Sequence, residues 1–66
     1  MAIAKAPVAR LVKSTGASRV SGDAIDLLKE SMEDYAVNVT RKANAYAHHA
    51  GRKTIKKADM KLALKD

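Results

Sequence analysis

Between Ser21 and Ala50 almost nothing in this 66-residue chain interrupts a helix: after Gly22 neither proline nor glycine occurs until Gly51. Such a helix is roughly 45 Å long at 1.5 Å per residue. Ser21 is suited to the N-cap, and Asp23 and Asp26 to the positive end of the helix. Gly51 is suited to the stop. Ile25, Leu28, Met32, Ala36, Val39, Ala43, Ala47 and Ala50 recur every three or four residues, which makes one apolar stripe along the whole stretch.

The rest of the chain supplies two short helices. Pro7, which fits a first helical turn, precedes Val8, Leu11 and Val12 at i, i+3, i+4 spacing. Gly16 ends that element, so the first helix is predicted from about residue 4–7 to about residue 15. Ala17 to Val20 read as a loop. Thr54 and Ile55 are β-branched and read as extended. A third helix is predicted from Lys56 or Lys57, with Met60, Ala63 and Leu64 as its apolar ladder. The fold class is all-α, short helix, long helix, short helix, in a single domain over residues 1–66.

This arrangement leaves a packing problem. Each short helix spans roughly 15 Å and, with short loops, covers only one end of the long one. The stretch around Met32, Tyr35, Ala36 and Val39 is left without cover within the chain. Open apolar surface is unfavourable by about 25 cal/mol per Å². With no cysteine, disulfides and thiolate metal sites are excluded. A second chain crossing at mid-helix would cover the stripe, so an obligate dimer is expected, with Ile25, Leu28, Met32, Tyr35, Ala36 and Val39 in its core. An extended two-stranded coiled coil competes, but leaves Val8, Leu11, Val12, Met60 and Leu64 without packing. Tyr46, His49, Asp59 and Leu62 fit neither core. They read either as a second contact surface or as an ordinary amphipathic surface with one exposed leucine.

Charge is segregated. Residues 1–20 hold four bases and no acid, residues 21–50 five acids and three bases, residues 51–66 six bases and two acids, and the net charge is +6. Basic ends around a mildly acidic helix point to a polyanion, nucleic acid first, or to a basic solvated surface with no partner. No apolar run reaches the length of a membrane span, and no signal-peptide segment precedes the first helix. The chain is therefore expected among soluble, cytoplasmic proteins. A basic amphipathic protein lying on a membrane is disfavoured for want of one large apolar face with aromatic anchors.

The sequence carries no phosphate-binding glycine loop, no dinucleotide fingerprint and no zinc-protease motif. His48 and His49 are helix neighbours whose side chains diverge, so they read as surface groups or as a partner for a carboxylate such as Asp59, not as a metal pair. No serine has an adjacent base. No enzyme activity, metal or cofactor is expected. The aromatics are Tyr35 and Tyr46, both on the long helix, which disfavours base stacking with single strands.

The run His48-His49-Ala50-Gly51-Arg52-Lys53-Thr54-Ile55-Lys56 resembles the end of the long helix and the following R-K-T-I/V-K motif of archaeal histones. Gly16-Ala17-Ser18-Arg19-Val20-Ser21 is similar to the same family's G-A-x-R-V-S loop, and Ala6-Pro7-Val8 with Arg10 extends the likeness into the first helix. The segment Lys53 to Leu64 also resembles a eukaryotic core histone. The resemblance spans nearly the whole chain. It implies the histone fold as an intertwined, head-to-tail handshake dimer, formed with itself or with a paralogue. It further implies binding, bending and wrapping of double-stranded DNA, with localisation to the chromosome or nucleoid.

Position by position, Arg19 matches a minor-groove arginine and Arg10 a second arginine of the DNA face. Lys13, Ser21, Lys53, Thr54 and Lys56 match backbone-contacting positions. Arg52 and Asp59 match an internal ion pair that braces the second loop. Tyr46, His49, Asp59 and Leu62 match an interface between dimers that stacks them on DNA. Gly16 matches a glycine that lets successive DNA turns approach. The chain departs from the commonest pattern at Lys5, often apolar, at Tyr46, often leucine, and at His48, usually basic. The competing function is that of a histone-fold component of a transcription-type complex that does not wrap DNA.

Overall fold

The computed structural model describes residues 3–65. Three helices follow one another, α1 (Lys5–Lys13), α2 (Gly22–His49) and α3 (Lys57–Lys65), with no strand among the described residues. This is the short–long–short order of the histone fold. At 28 residues, α2 is roughly 42 Å long.

Local chemistry sets each helix end. The Ser21 hydroxyl oxygen accepts the Ala24 N–H at 3.2 Å, and the Ser21 carbonyl accepts the Ile25 N–H at 3.2 Å, so Ser21 is the N-cap rather than the first helical residue. At the far end Gly51 has φ +71°. Its N–H donates to the His48 carbonyl at 2.9 Å, and the Arg52 N–H reaches back to the Ala47 carbonyl at 2.9 Å. This is a Schellman closure, which uses the conformational freedom of glycine to satisfy carbonyls that the helix leaves open. Helix α1 stops at Lys13, two residues before the expected end. There the Ser14 hydroxyl donates to the Leu11 carbonyl at 2.5 Å and the Thr15 hydroxyl to the Val12 carbonyl at 2.7 Å. These side chains take the place of continued helical bonds.

The chain divides into two compact units, Met1–Asp34 and Tyr35–Asp66. In the first, Val8 of α1 and Ile25 of α2 are buried. Two polar contacts add to this. The Lys5 ammonium lies 3.0 Å from an Asp26 carboxylate oxygen, and the Ile3 N–H donates to Glu33 Oε2 at 2.9 Å. In the second unit, Val39 and Ala43 of α2 and Ala63 of α3 form a cluster, against which Tyr46, Ile55 and Met60 pack.

Several expected core positions differ. Val39 is only 7% exposed because α3 covers it, so the stretch of α2 without cover within the chain excludes this residue. Ile25 is likewise buried within its own unit. Leu11 and Leu64, expected in the ladders of the short helices, are exposed. On α3 the buried face runs through Asp59 and Ala63, an i, i+4 pair, which turns Leu64 away from it. On α2, Leu28, Tyr35 and Ala36 are exposed and Met32 is partly buried. Leu27, which belongs to no expected contact set, is exposed as well.

Candidate nucleic-acid interface

The first unit carries Arg10 and Lys13 on α1, and Gly16, Arg19 and Ser21 in the loop that leads to α2, all exposed. The loop turns at Gly16, whose φ is +101°, a region that disfavours any side chain. A Cβ placed there would meet nothing within 4 Å. Within the chain, then, backbone conformation and not crowding requires glycine. Ser21 retains chemistry after capping α2, because a hydroxyl that accepts one N–H still has its own hydrogen to donate.

The second unit carries Lys53, Thr54 and Lys56, all exposed, on the short segment from α2 to α3. One acid organises this segment. Asp59 is 3% exposed. Its Oδ2 accepts from Arg52 Nη1 at 2.7 Å, its Oδ1 from Arg52 Nη2 at 2.9 Å, and Oδ2 also accepts the Lys56 N–H at 2.8 Å. Arg52 Nη1 donates in addition to the Thr54 carbonyl at 3.1 Å. The two-pronged guanidinium–carboxylate pair fixes orientation as well as distance. Asp59 thus closes the N-terminal end of α3, while Arg52 ties down the backbone on which Lys53, Thr54 and Lys56 sit.

The electrostatics follow from these bonds. The Arg52 hydrogen bonds, then the Lys56 N–H, hold the Asp59 carboxyl below the usual carboxylate range, against the opposing effect of burial. The Asp59 hydrogen bond in turn raises Arg52 above its ordinary value. Because both Asp59 oxygens are engaged, the carboxylate does not serve His48 or His49, which are exposed. Asp59 has little surface left for another chain. Of the other positions matched to a dimer–dimer contact, Tyr46 packs partly into its own chain's cluster, whereas His49 and Leu62 are exposed.

The contacts that sequence reasoning missed are Lys5–Asp26 and Ile3–Glu33. Each joins residues distant in sequence, and no periodicity marks such a pair. Among the described residues no group of three or more His, Asp or Glu side chains is placed to hold a metal. No helix is long and apolar enough to cross a membrane.

Comparison with known proteins agrees with this architecture. The profile of the family described as histone-like transcription factor (CBF/NF-Y) and archaeal histone matches residues 1–64. One of the subunits of archaeal histone HAN1 from Thermococcus zilligii is 52% identical over 60 residues, covering 91% of this chain and 90% of the relative. Probable archaeal histone 3 of Methanocaldococcus jannaschii is 43% identical over 60 residues, with the same coverage of 91% and 90%. Histone H4 of Tetrahymena thermophila is 35% identical over 63 residues, which is 96% of this chain and 61% of the relative. The chain belongs to the family of histone-like transcription factors (CBF/NF-Y) and archaeal histones, and within it to the archaeal histones.

Proposed function

We propose that this chain packages double-stranded DNA as a dimer that binds, bends and wraps the duplex. The observation that carries the reading is the exposure of basic side chains at the segments flanking α2: Arg10, Lys13 and Arg19 before it, Lys53 and Lys56 after it. Lysine and arginine neutralise phosphates and release counterions without regard to sequence. Arg19 reads a narrowed minor groove by shape. Ser21 and Thr54 donate hydroxyls to phosphate oxygens, and the N–H groups at the start of α2 add to this. A dimer brings twice the chain's net charge of +6 to the duplex.

Dimerisation is supported by the poverty of the single-chain core. Among the described residues the buried apolar set consists of Val8, Ile25, Val39 and three alanines, little for a chain of this size. A second copy lies over Leu28, Met32, Tyr35 and Ala36, with Ile25 and Val39 beneath. The head-to-tail handshake sets Arg19 and Val20 beside Lys53 and Thr54 of the other copy. The Thermococcus relative is named as one of several subunits of its histone, which supports pairing with a paralogue as well as with a second copy. Dimers stack further through Tyr46, His49 and Leu62, with Asp59 behind them as the brace of the loop. Gly16 leaves room for neighbouring DNA turns. The chain works on the chromosome.

The test is binding to random-sequence duplex across a salt series, followed by nuclease digestion on long DNA. Steep loss of binding with salt and a ladder of protected lengths are expected. Absence of any shift at low salt refutes the reading in favour of a histone-fold component that joins proteins without wrapping DNA. One dimer-sized footprint at saturation refutes the stacking.

A further inference from the structure

We propose that Lys5, Asp26 and Glu33 are positioning residues that clamp the entry to α1 onto α2 and so set the direction in which Arg10 and Lys13 are presented. The inference rests on the reading of α1 as part of the DNA face. Helix α1 has nine residues and Val8 as its buried side chain, and a helix that short does not hold itself together in water. Its C-terminal end is secured covalently by the loop to Ser21. Its N-terminal end is secured by the Lys5–Asp26 ion pair at 3.0 Å and by the Ile3 N–H on Glu33 Oε2 at 2.9 Å.

The two anchor points stand seven residues apart on α2, roughly 10 Å along its axis. Two attachments at different heights fix direction as well as position, which one alone does not do. The clamp also accounts for Gly22 at the start of α2. A Cβ there would lie 3.4 Å from Lys5 Nζ, so the bare backbone leaves the ammonium its path to Asp26. Lys5, although part of the basic N-terminal segment, thereby acts inside the protein and not on phosphate.

This assignment reverses an electrostatic expectation. By charge alone, removing an acid from a DNA-binding surface raises affinity, and removing a phosphate contact from both copies of a dimer lowers the salt slope by about 2. The clamp predicts that Asp26→Asn lowers duplex affinity, by up to about fivefold for an exposed pair. Lys5→Gln lowers affinity to a similar degree with the salt slope unchanged. Glu33→Gln, which keeps a carbonyl acceptor, stays within about twofold of the wild type, whereas Glu33→Ala weakens binding. The exchanged double variant Lys5→Glu/Asp26→Lys recovers most of the loss.

Amide exchange over α1 in the DNA-free dimer gives a readout independent of DNA, with protection falling in Asp26→Asn and returning in the double variant. That measurement decides the clamp even if the wild type proves not to bind duplex at all. Tighter duplex binding by Asp26→Asn, a salt slope that falls with Lys5→Gln, or α1 exchange indifferent to every substitution each overturns the proposal.

Discussion

Tyr35 is the sharpest test of the shared core. It is 61% exposed in the single chain, in the middle of α2, where its hydroxyl gives the ring no reason to stand in water. A tyrosine buries roughly 150–250 Å², so about 90–150 Å² is open for a partner to cover. At about 25 cal/mol per Å² that is ~2–4 kcal/mol for each copy, and twice as much for a symmetric pair. Part of this surface is the polar hydroxyl and part remains open at any crossing of helices, so half the sum, ~2–4 kcal/mol per dimer, is the working figure. With tenfold for every 1.4 kcal/mol, Tyr35→Ala raises the dimer dissociation constant by about two orders of magnitude. The assay is sedimentation equilibrium over a concentration series, with helicity followed by circular dichroism. Leu27→Ala is the control, since Leu27 is equally open, at 66%, but lies off the stripe through Leu28, Met32 and Ala36. A Tyr35→Ala dissociation constant within threefold of the wild type, or an equal effect from Leu27→Ala, refutes the crossing.

Arg19→Ala is expected to weaken duplex binding and to reduce the magnitude of the salt slope by about 2 for the two copies, with dimer stability unchanged by thermal unfolding. Gly16→Ala and Gly16→Asp share the backbone strain of φ +101° and so destabilise the loop alike. A further loss of long nuclease-protected fragments confined to Gly16→Asp isolates the approach of DNA turns, and equal ladders for both variants exclude it. The depressed Asp59 carboxyl contributes stability that is complete above the usual carboxylate range and disappears as pH falls through its lower folded value. Thermal unfolding followed from neutral pH into acid is expected to fall more steeply for the wild type than for Asp59→Asn, and parallel curves would count against the brace.

The helix ends were readable in the sequence because their causes are local. Ser21 accepts from a residue three positions on, and Gly51 closes over carbonyls of the preceding turn. Residue type at one position carries such information. The burial of the short helices was less readable. A ladder such as Met60, Ala63 and Leu64 marks an apolar side of α3 but does not say which chain covers it. The structure buries Ala63 and leaves Leu64 open. Asp59 shows the same limit in a polar group. Its matches to a brace and to an interface were equally compatible with its spacing, and only the geometry gives both of its oxygens to Arg52 and Lys56. Lys5 was unreadable for a different reason, since its partner Asp26 lies on another element at a distance no pattern specifies.

The acids of this chain take on meaning from where the two ion pairs fall. A protein of net charge +6 that holds a polyanion gains nothing at long range from carboxylates near its bases. Yet Asp26 meets Lys5 at the start of α1, and Asp59 meets Arg52 across the turn that carries Lys53, Thr54 and Lys56. In each unit one base is held inside by one acid, beside exposed bases on the same segment. A phosphate contact on a mobile segment must order that segment on binding, at a cost of ~1–2 kcal/mol for each backbone residue fixed. Segments ordered beforehand avoid that cost. The carboxylates therefore favour DNA binding indirectly, through rigidity, and their loss is expected to weaken it despite the gain in net positive charge.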